Sequence, residues 1–199
     1  MNSIYRIVLV ASALALGASF AFAHGGATGI VKERMELMEN IGTAMKTLNA
    51  IFKGERDYDP EAVRAAAAAI RDHAGENMTK LFPENSLDKP TETLPAVWQQ
   101  WDEFEALAGA LAAYSDALFK AADNARGPGA GMMGQGQGQG MMGQGQGMMG
   151  QGMMGQGQGM MGAGGPDAEA LAAMPPDAAF MHTAQTCNAC HTKFRAKKN

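Results

Sequence analysis

The chain has 199 residues and is unusually rich in glycine (26) and methionine (17). This length indicates one domain of ordinary size and excludes a large multidomain assembly. Sixteen basic against twenty acidic residues give a formal net charge of −4, which is too acidic for a protein that binds nucleic-acid phosphates. Two cysteines are too few for the dense disulfide framework of a small secreted scaffold.

The first 23 residues have the pattern of an export signal. A positive charge at Arg6 precedes a short apolar run, and residues 21–23 have the small-x-small form of a cleavage site. The run is short for a membrane anchor, because a bilayer core needs about 20 apolar residues. We therefore predict a signal peptide at 1–23, a mature domain at 24–199, and a location in the periplasm.

Two amphipathic helices are predicted in the first part of the mature chain. Over residues 30–52 the apolar side chains fall three or four apart, which is typical of one helical stripe, and Gly54 ends the helix. The Asp-Pro-Glu sequence at 59–61 is typical of a helix start: a capping carboxylate, a proline where no amide donor is needed, and an acid in the first turn. The second helix is predicted to run from there to about Leu81.

Two more helices are predicted after a proline-rich loop at 83–95. From Val97 the apolar residues again have helical spacing, and this third helix is predicted to end near 126–128. The fourth is predicted from about Pro176 to Lys197. No segment alternates apolar and polar residues as a strand does. We therefore predict an all-α fold, an antiparallel four-helix bundle, whose ligand sites lie between facing helices.

Residues 127–165 interrupt the domain between the third and fourth helices. This segment repeats Met-Met-Gly-Gln-Gly, contains no charged residue, and holds 18 of the 26 glycines and 10 of the 17 methionines. Ordering so many glycines costs much conformational entropy, and the segment forms no packed core that would offset this cost. We therefore predict a long disordered loop. Copper binding is an alternative role for it, since paired thioethers are soft ligands that select Cu(I).

Cys187-Asn188-Ala189-Cys190-His191 is a C-x-x-C-H motif. The pattern is typical of covalent attachment of haem c, in which both thiols add to vinyl groups and the histidine ligates the iron. On a helix the three residues share a face, because they lie three and four positions apart. The alternative, a redox-active C-x-x-C before a chance histidine, is expected after a strand in an α/β pattern. The sequence therefore predicts one haem c, bound by Cys187 and Cys190, with His191 as axial ligand.

A haem-attachment motif on the last helix of an exported four-helix bundle resembles the class II cytochromes c, typified by cytochrome c′. The resemblance covers about residues 30–124 and 177–197. The long segment at 127–165 departs from the family, in which this connection is usually short. The matching pieces are Arg34-x-x-x-Met38, Leu81-Phe82-Pro83, Thr91-x-x-x-Pro95-x-x-Trp98, and the C-x-x-C-H motif followed by Phe194-Arg195.

The resemblance implies roles for further residues. Arg34 resembles the basic residue near the haem propionates, and it needs an anionic partner if it faces the core. The alternative for Arg34 is a solvated side chain at the edge of the apolar stripe. Glu92 and Thr93 lie where family members contact the haem edge. Arg195, four residues after His191, resembles the basic residue beside the proximal pocket, or is a surface cation.

Met38 decides between two mechanisms that the resemblance implies. In the gas-binding branch of the family, this position is an apolar residue over a vacant sixth site of five-coordinate iron that binds nitric oxide or carbon monoxide. In a sister branch a methionine ligates the iron, and the protein is a low-spin electron carrier. Methionine suits either role, as a pocket filler or as a soft ligand, so both remain open.

We therefore predict a periplasmic class II c-type cytochrome that transfers single electrons, binds a diatomic gas, or does both. The sequence contains no catalytic acid-base or nucleophile constellation, so it is not expected to be an enzyme. Its expected partners are redox proteins, with nitric oxide or carbon monoxide as possible ligands. The resemblance also implies a homodimer that pairs through the first two helices.

Overall fold

The structure, a computed structural model, describes residues 26–127 and 166–197. The predicted signal peptide and, apart from Gly127, the predicted loop at 127–165 lie outside these ranges. The described residues form seven helical segments: α1 (Gly29–Phe52), α2 (Pro60–His73), α3 (Glu76–Thr79), α4 (Ala96–Gln99), α5 (Trp101–Ala121), α6 (Ala168–Ala172) and α7 (Pro176–Phe194).

The first two predicted helices are present, but α2 is shorter than predicted. Its start is confirmed: the Asp59 side chain accepts a hydrogen bond from the Glu61 amide at 3.0 Å, and Pro60 is the first helical residue. The prediction that it runs to about Leu81 is wrong. Gly75 has a φ of 57°, which glycine adopts without steric cost, and its amide donates to the Ala108 carbonyl of α5 at 2.9 Å.

The third predicted helix is divided in two. Gln100, at φ −131° and ψ 49°, lies outside the helical region and separates α4 from α5. α5 ends at Ala121, before the predicted end near 126–128. The fourth helix is present as α7 and begins at Pro176 as predicted. It ends at Phe194 and not at Lys197, because Arg195 is extended and forms an isolated bridge with Thr93. The short helix α6 was not predicted.

The four long helices α1, α2, α5 and α7 form the predicted four-helix bundle, and the described residues contain no strand. α1 packs along α2, α2 along α5, and α5 along α7, whereas α1 and α7 make few contacts with each other. We call the region between these two the α1/α7 seam. No helix in the described part of the chain is long and apolar enough to cross a membrane.

Aromatic side chains concentrate at the two ends of α7. Phe180, in its first half, stacks on Phe52 with ring centroids 4.5 Å apart. Phe194, its last residue, belongs to a group that we call the Phe104 cluster. In this cluster the Phe104 ring lies 4.8 Å from Phe82, 5.6 Å from Trp101 and 5.5 Å from Phe194.

The two described edges of the segment 128–165 are fixed to each other at the Phe52 end of the bundle. Arg126, just before the segment, pairs with Asp177 of α7 at 2.7 Å, and its guanidinium also lies 5.4 Å from the Phe52 ring centroid. Asn124 donates to the carbonyls of Ala172 and Met174 at 2.9 and 2.8 Å. Residues 124–126 and 172–177 therefore lie together at this end of the bundle.

Candidate haem-attachment site

The C-x-x-C-H motif lies in the last turns of α7. Cys187 and Cys190 are half-buried against the hydrophobic core and are not joined by a disulfide. Burial raises the pKa of the Cys187 thiol, and burial together with Cys187 raises the pKa of Cys190 to about 11. Thiols held protonated in apolar surroundings are unreactive toward disulfide exchange, which argues against a redox-active pair.

His191 follows the cysteines and is half-buried on the same helix. Burial lowers the pKa of its imidazole, the positive charge of Arg195 lowers this pKa further, and the Glu92 carboxylate opposes both effects. The imidazole is therefore neutral at neutral pH. Neutral imidazole is the form that donates a lone pair to a metal, so this environment suits an axial ligand.

The loop that contains Glu92 and Thr93 is attached to the end of α7. The Ala196 amide donates to the Glu92 carbonyl at 2.8 Å, and the Leu94 amide donates to the Phe194 carbonyl at 2.9 Å. These bonds place Glu92 close enough to His191 to affect its pKa. Both loop residues, predicted only by resemblance, thus lie beside the predicted axial ligand, and their contact with a haem stays a prediction.

Arg34 lies in the first half of α1 and is only 5% exposed, so it is not the solvated arginine considered as an alternative. Its Nε donates to the Leu81 carbonyl at 2.5 Å, its Nη1 to the Ser86 carbonyl at 2.8 Å, and its Nη2 to the Ser86 hydroxyl. The guanidinium also lies over the Phe82 ring, 4.3 Å from the centroid. Burial lowers the pKa of Arg34, and the negative charge of Asp88 opposes this shift.

These bonds use three of the five N–H groups of the Arg34 guanidinium. One N–H on each terminal nitrogen is left for a further acceptor. Arg34 therefore has a structural role in holding the loop after α3, and it keeps the donors that the predicted contact with a propionate requires.

Met38 lies one helical turn after Arg34 and is half-buried against the core on which Cys187 and Cys190 also pack. The helices are antiparallel, so the first half of α1 and the last half of α7 lie at the same end of the bundle. Arg34 and Met38 on α1 and the C-x-x-C-H turn on α7 are therefore at the same end of the α1/α7 seam. The residues present therefore fit a haem between the two helices: two free thiols, a neutral imidazole, a soft thioether and a buried guanidinium.

Sequence reasoning missed Ser86 and the hydrogen bond that Trp98 makes. Ser86 accepts two of the Arg34 hydrogen bonds, and Trp98 donates from Nε1 to the Phe82 carbonyl at 2.9 Å. Helical periodicity indicated that Trp98 packs in the core, but no sequence signal indicated a partner for Ser86. Among residues 26–127 and 166–197, no group of three or more His, Cys, Asp or Glu side chains is arranged to hold a metal ion.

Comparison with known proteins gives a family from sequence and a shared fold from structure. A family model described as "Cytochrome C'" matches residues 29–136, a range that ends before the C-x-x-C-H motif. Cytochrome c′ of Rhodopseudomonas palustris is 33% identical over 113 residues, which cover 56% of this chain and 75% of that protein. A cytochrome c-556 of Agrobacterium tumefaciens is 36% identical over 91 residues, which cover 44% of this chain and 70% of that protein.

The solved structure of cytochrome c′ from Rhodopseudomonas palustris superimposes with a TM-score of 0.56. The match covers 87% of this chain and all of that chain, at 23% sequence identity. At this identity the similarity shows a shared fold.

Proposed function

Because the chain belongs to the cytochrome c′ family, we propose that it is a single-haem c-type cytochrome that carries electrons one at a time. What supports this most directly is the C-x-x-C-H turn of α7, in which two half-buried cysteines without a disulfide precede a half-buried histidine. When bound, the haem supplies an iron that changes oxidation state by one electron.

The chain's own residues would attach, orient and enclose this haem. Cys187 and Cys190 would each form one thioether bond to the haem. His191 would donate its imidazole lone pair to the iron. Arg34 would offer a remaining N–H group to a propionate, while its other bonds keep the guanidinium in place. Glu92 and Thr93 would enclose the edge of the site beside His191.

Electron transfer is proposed first because it is compatible with either role of Met38. A thioether that ligates the iron gives a low-spin carrier, and a thioether that only packs beside it still permits a one-electron change. Binding of nitric oxide or carbon monoxide is the second candidate, since it requires Met38 to leave the sixth position open. We test the form of the proposal in which Met38 ligates the iron.

The first experiment is absorption and resonance Raman spectroscopy of the purified holo-protein, oxidised and reduced, with and without carbon monoxide. We expect low-spin iron that takes up carbon monoxide poorly, and high-spin iron that takes it up readily after Met38→Leu. Met45→Leu, also half-buried on α1, is the matched control and should leave the spectra unchanged. A five-coordinate, gas-binding wild type would favour the second candidate, and a protein without haem would contradict both.

We propose that the protein acts in the periplasm, on the basis of the export pattern at residues 1–23. Amino-terminal sequencing of the protein from a periplasmic fraction should give a chain that begins at His24. Recovery of the intact chain from the cytoplasm would contradict the proposed location. The protein would then not reach the compartment in which covalent haem attachment is expected.

The methionine-rich segment has copper binding as its alternative role. The described residues on either side of this segment lie at the Phe52 end of the bundle, near Pro176. Pro176 is about 22 Å along α7 from His191 at the usual helical rise. Deletion of residues 128–165 should therefore leave the haem content and spectrum unchanged. Loss of copper uptake by that variant would support a copper-handling role, and unchanged uptake would exclude it.

We propose a homodimer that pairs through α1 and α2. A groove of about 560 Å³ between these helices is lined by small side chains, among them Ala65, Ala66 and Ala69, which let another helix approach closely. Replacing the exposed Ala65 with glutamate should convert a dimer to a monomer in sedimentation analysis. Ala113→Glu on α5 is the matched control, and equal effects of both changes would contradict this interface.

A further inference from the structure

Two members of the Phe104 cluster also reach the protein surface. Phe82 and Trp101, together with Trp98, line a cleft of about 520 Å³ that is open to solvent. Both indoles are half-buried, and the hydrogen bond from Trp98 Nε1 to the Phe82 carbonyl fixes one of them. None of the roles proposed above uses this cleft.

The rim of the cleft is acidic. Glu76, Glu84 and Glu105 are exposed there, and none of their carboxylates has a hydrogen-bond or ion-pair partner among the described residues. The rim also has Lys80, whose ammonium donates to the Asn77 side chain at 2.8 Å. Three carboxylates against one ammonium leave two negative charges that this part of the chain does not neutralise.

Aromatic faces with unpaired carboxylates around them match a cation with an apolar stem. A lysine or arginine side chain places its methylene groups on the rings and its charge beside the carboxylates. Tryptophan is enriched among residues that contribute most to protein–protein binding, and an open cleft admits a side chain that projects from a larger surface. The chemistry therefore favours a protein partner with a basic face.

We propose that this cleft docks a lysine- or arginine-bearing surface of the protein with which this cytochrome exchanges electrons. The inference rests on the proposed electron-carrier function. The Phe104 cluster joins the cleft to Phe194, three residues after His191, so a docked partner lies at the haem-attachment end of the bundle. In the exchange one protein loses one electron as the other gains it, and docking itself forms no covalent bond.

The two tryptophans that line the cleft are the only two in the chain, which gives a direct binding assay. In a two-dimensional NMR spectrum of the ¹⁵N-labelled, reduced holo-protein, both indole N–H signals report on the cleft. We expect tetralysine to shift both signals at low ionic strength, and tetraglutamate to shift neither. The shifts should diminish at high salt, because the attraction is screened.

Charge reversal at the rim tests the site. The double variant Glu84→Lys and Glu105→Lys is expected to bind tetralysine at least about ten-fold more weakly, because attraction is replaced by repulsion. The matched control is Glu55→Lys with Asp57→Lys, which makes the same change of charge at exposed positions between α1 and α2. Indole signals that do not move, or an equal loss in both variants, would overturn the proposal.

Oxidation of the reduced proteins by small complexes separates this proposal from the proposed function. Hexaammineruthenium(III), a cation, should react more slowly with the rim variant than with the control, and ferricyanide, an anion, should not. If neither complex oxidises the wild-type protein, the electron-carrier function fails. If both oxidise it normally but tetralysine does not bind, the docking site alone fails.

Discussion

Phe52, the last residue of α1, stacks on Phe180 of α7 with ring planes only 10° apart. Since α1 and α7 otherwise make few contacts, this stack joins the two helices at one end of their seam. The opposite end, between Arg34 and the C-x-x-C-H turn, is where the proposed haem lies. The fold thus holds its first and last helices together away from the proposed site.

Replacing Phe180 with alanine is expected to lower the free energy of unfolding by about 3–5 kcal/mol, because a buried ring is lost and a cavity remains. Urea denaturation of the holo-protein, followed by circular dichroism, measures this change. The adjacent Met181, 40% exposed, is the control, and its replacement by alanine should cost less than about 0.5 kcal/mol. Equal effects of the two substitutions would show that the stack does not hold the seam.

Replacing Arg34 with lysine should destabilise the protein by about 1–3 kcal/mol, because one ammonium cannot reach both Leu81 and Ser86 and leaves a buried carbonyl unpaired. Urea denaturation measures the loss. Ser86→Ala removes only one of the three acceptors and should cost less. If Arg34→Lys is as stable as the wild type, the loop after α3 is held by other contacts.

The hydroxyl of Ser115 is buried and, unlike the Arg34 guanidinium, has no hydrogen-bond partner among the described residues. Ser115→Ala should leave stability unchanged or raise it by up to about 1 kcal/mol, since no bond is lost and a polar group leaves the core. Thermal unfolding measures the change. Thr183→Val is the control, because the equally buried Thr183 hydroxyl donates to the Ala179 carbonyl at 2.9 Å and its removal should destabilise. A clear loss for Ser115→Ala would reveal a partner for its hydroxyl.

The pKa of Asp116 is lowered by its hydrogen bond to Lys120 and further by Arg71, while partial burial opposes the shift. A carboxyl with a lower pKa in the folded state stabilises the fold above its unfolded pKa of about 4, and this contribution is lost as the pH falls through the lowered pKa. Asp116→Asn should therefore cost about 0.5–1 kcal/mol at pH 7 and less at pH 2. Urea denaturation at both pH values measures the difference, and an equal cost at the two pH values would contradict the role of its charge.

Features that depend on neighbouring residues could be predicted from the sequence. The start of α2 follows from an aspartate, a proline and a glutamate in adjacent positions, and the stripe of α1 follows from helical spacing. The C-x-x-C-H motif indicated haem attachment because its three residues lie within one turn of a helix. These signals act over a few residues, so they could be read before any tertiary contact was known.

Only the tertiary structure decided the features that depend on residues far apart in the chain. α2 ends early because the Gly75 amide bonds to α5, and Arg34 is held by carbonyls about 50 positions away. Glu92 lies near His191 because its loop pairs with the end of α7. Each of these contacts forms when the helices pack and distant groups satisfy buried hydrogen bonds, and such a partner leaves no pattern in the local sequence.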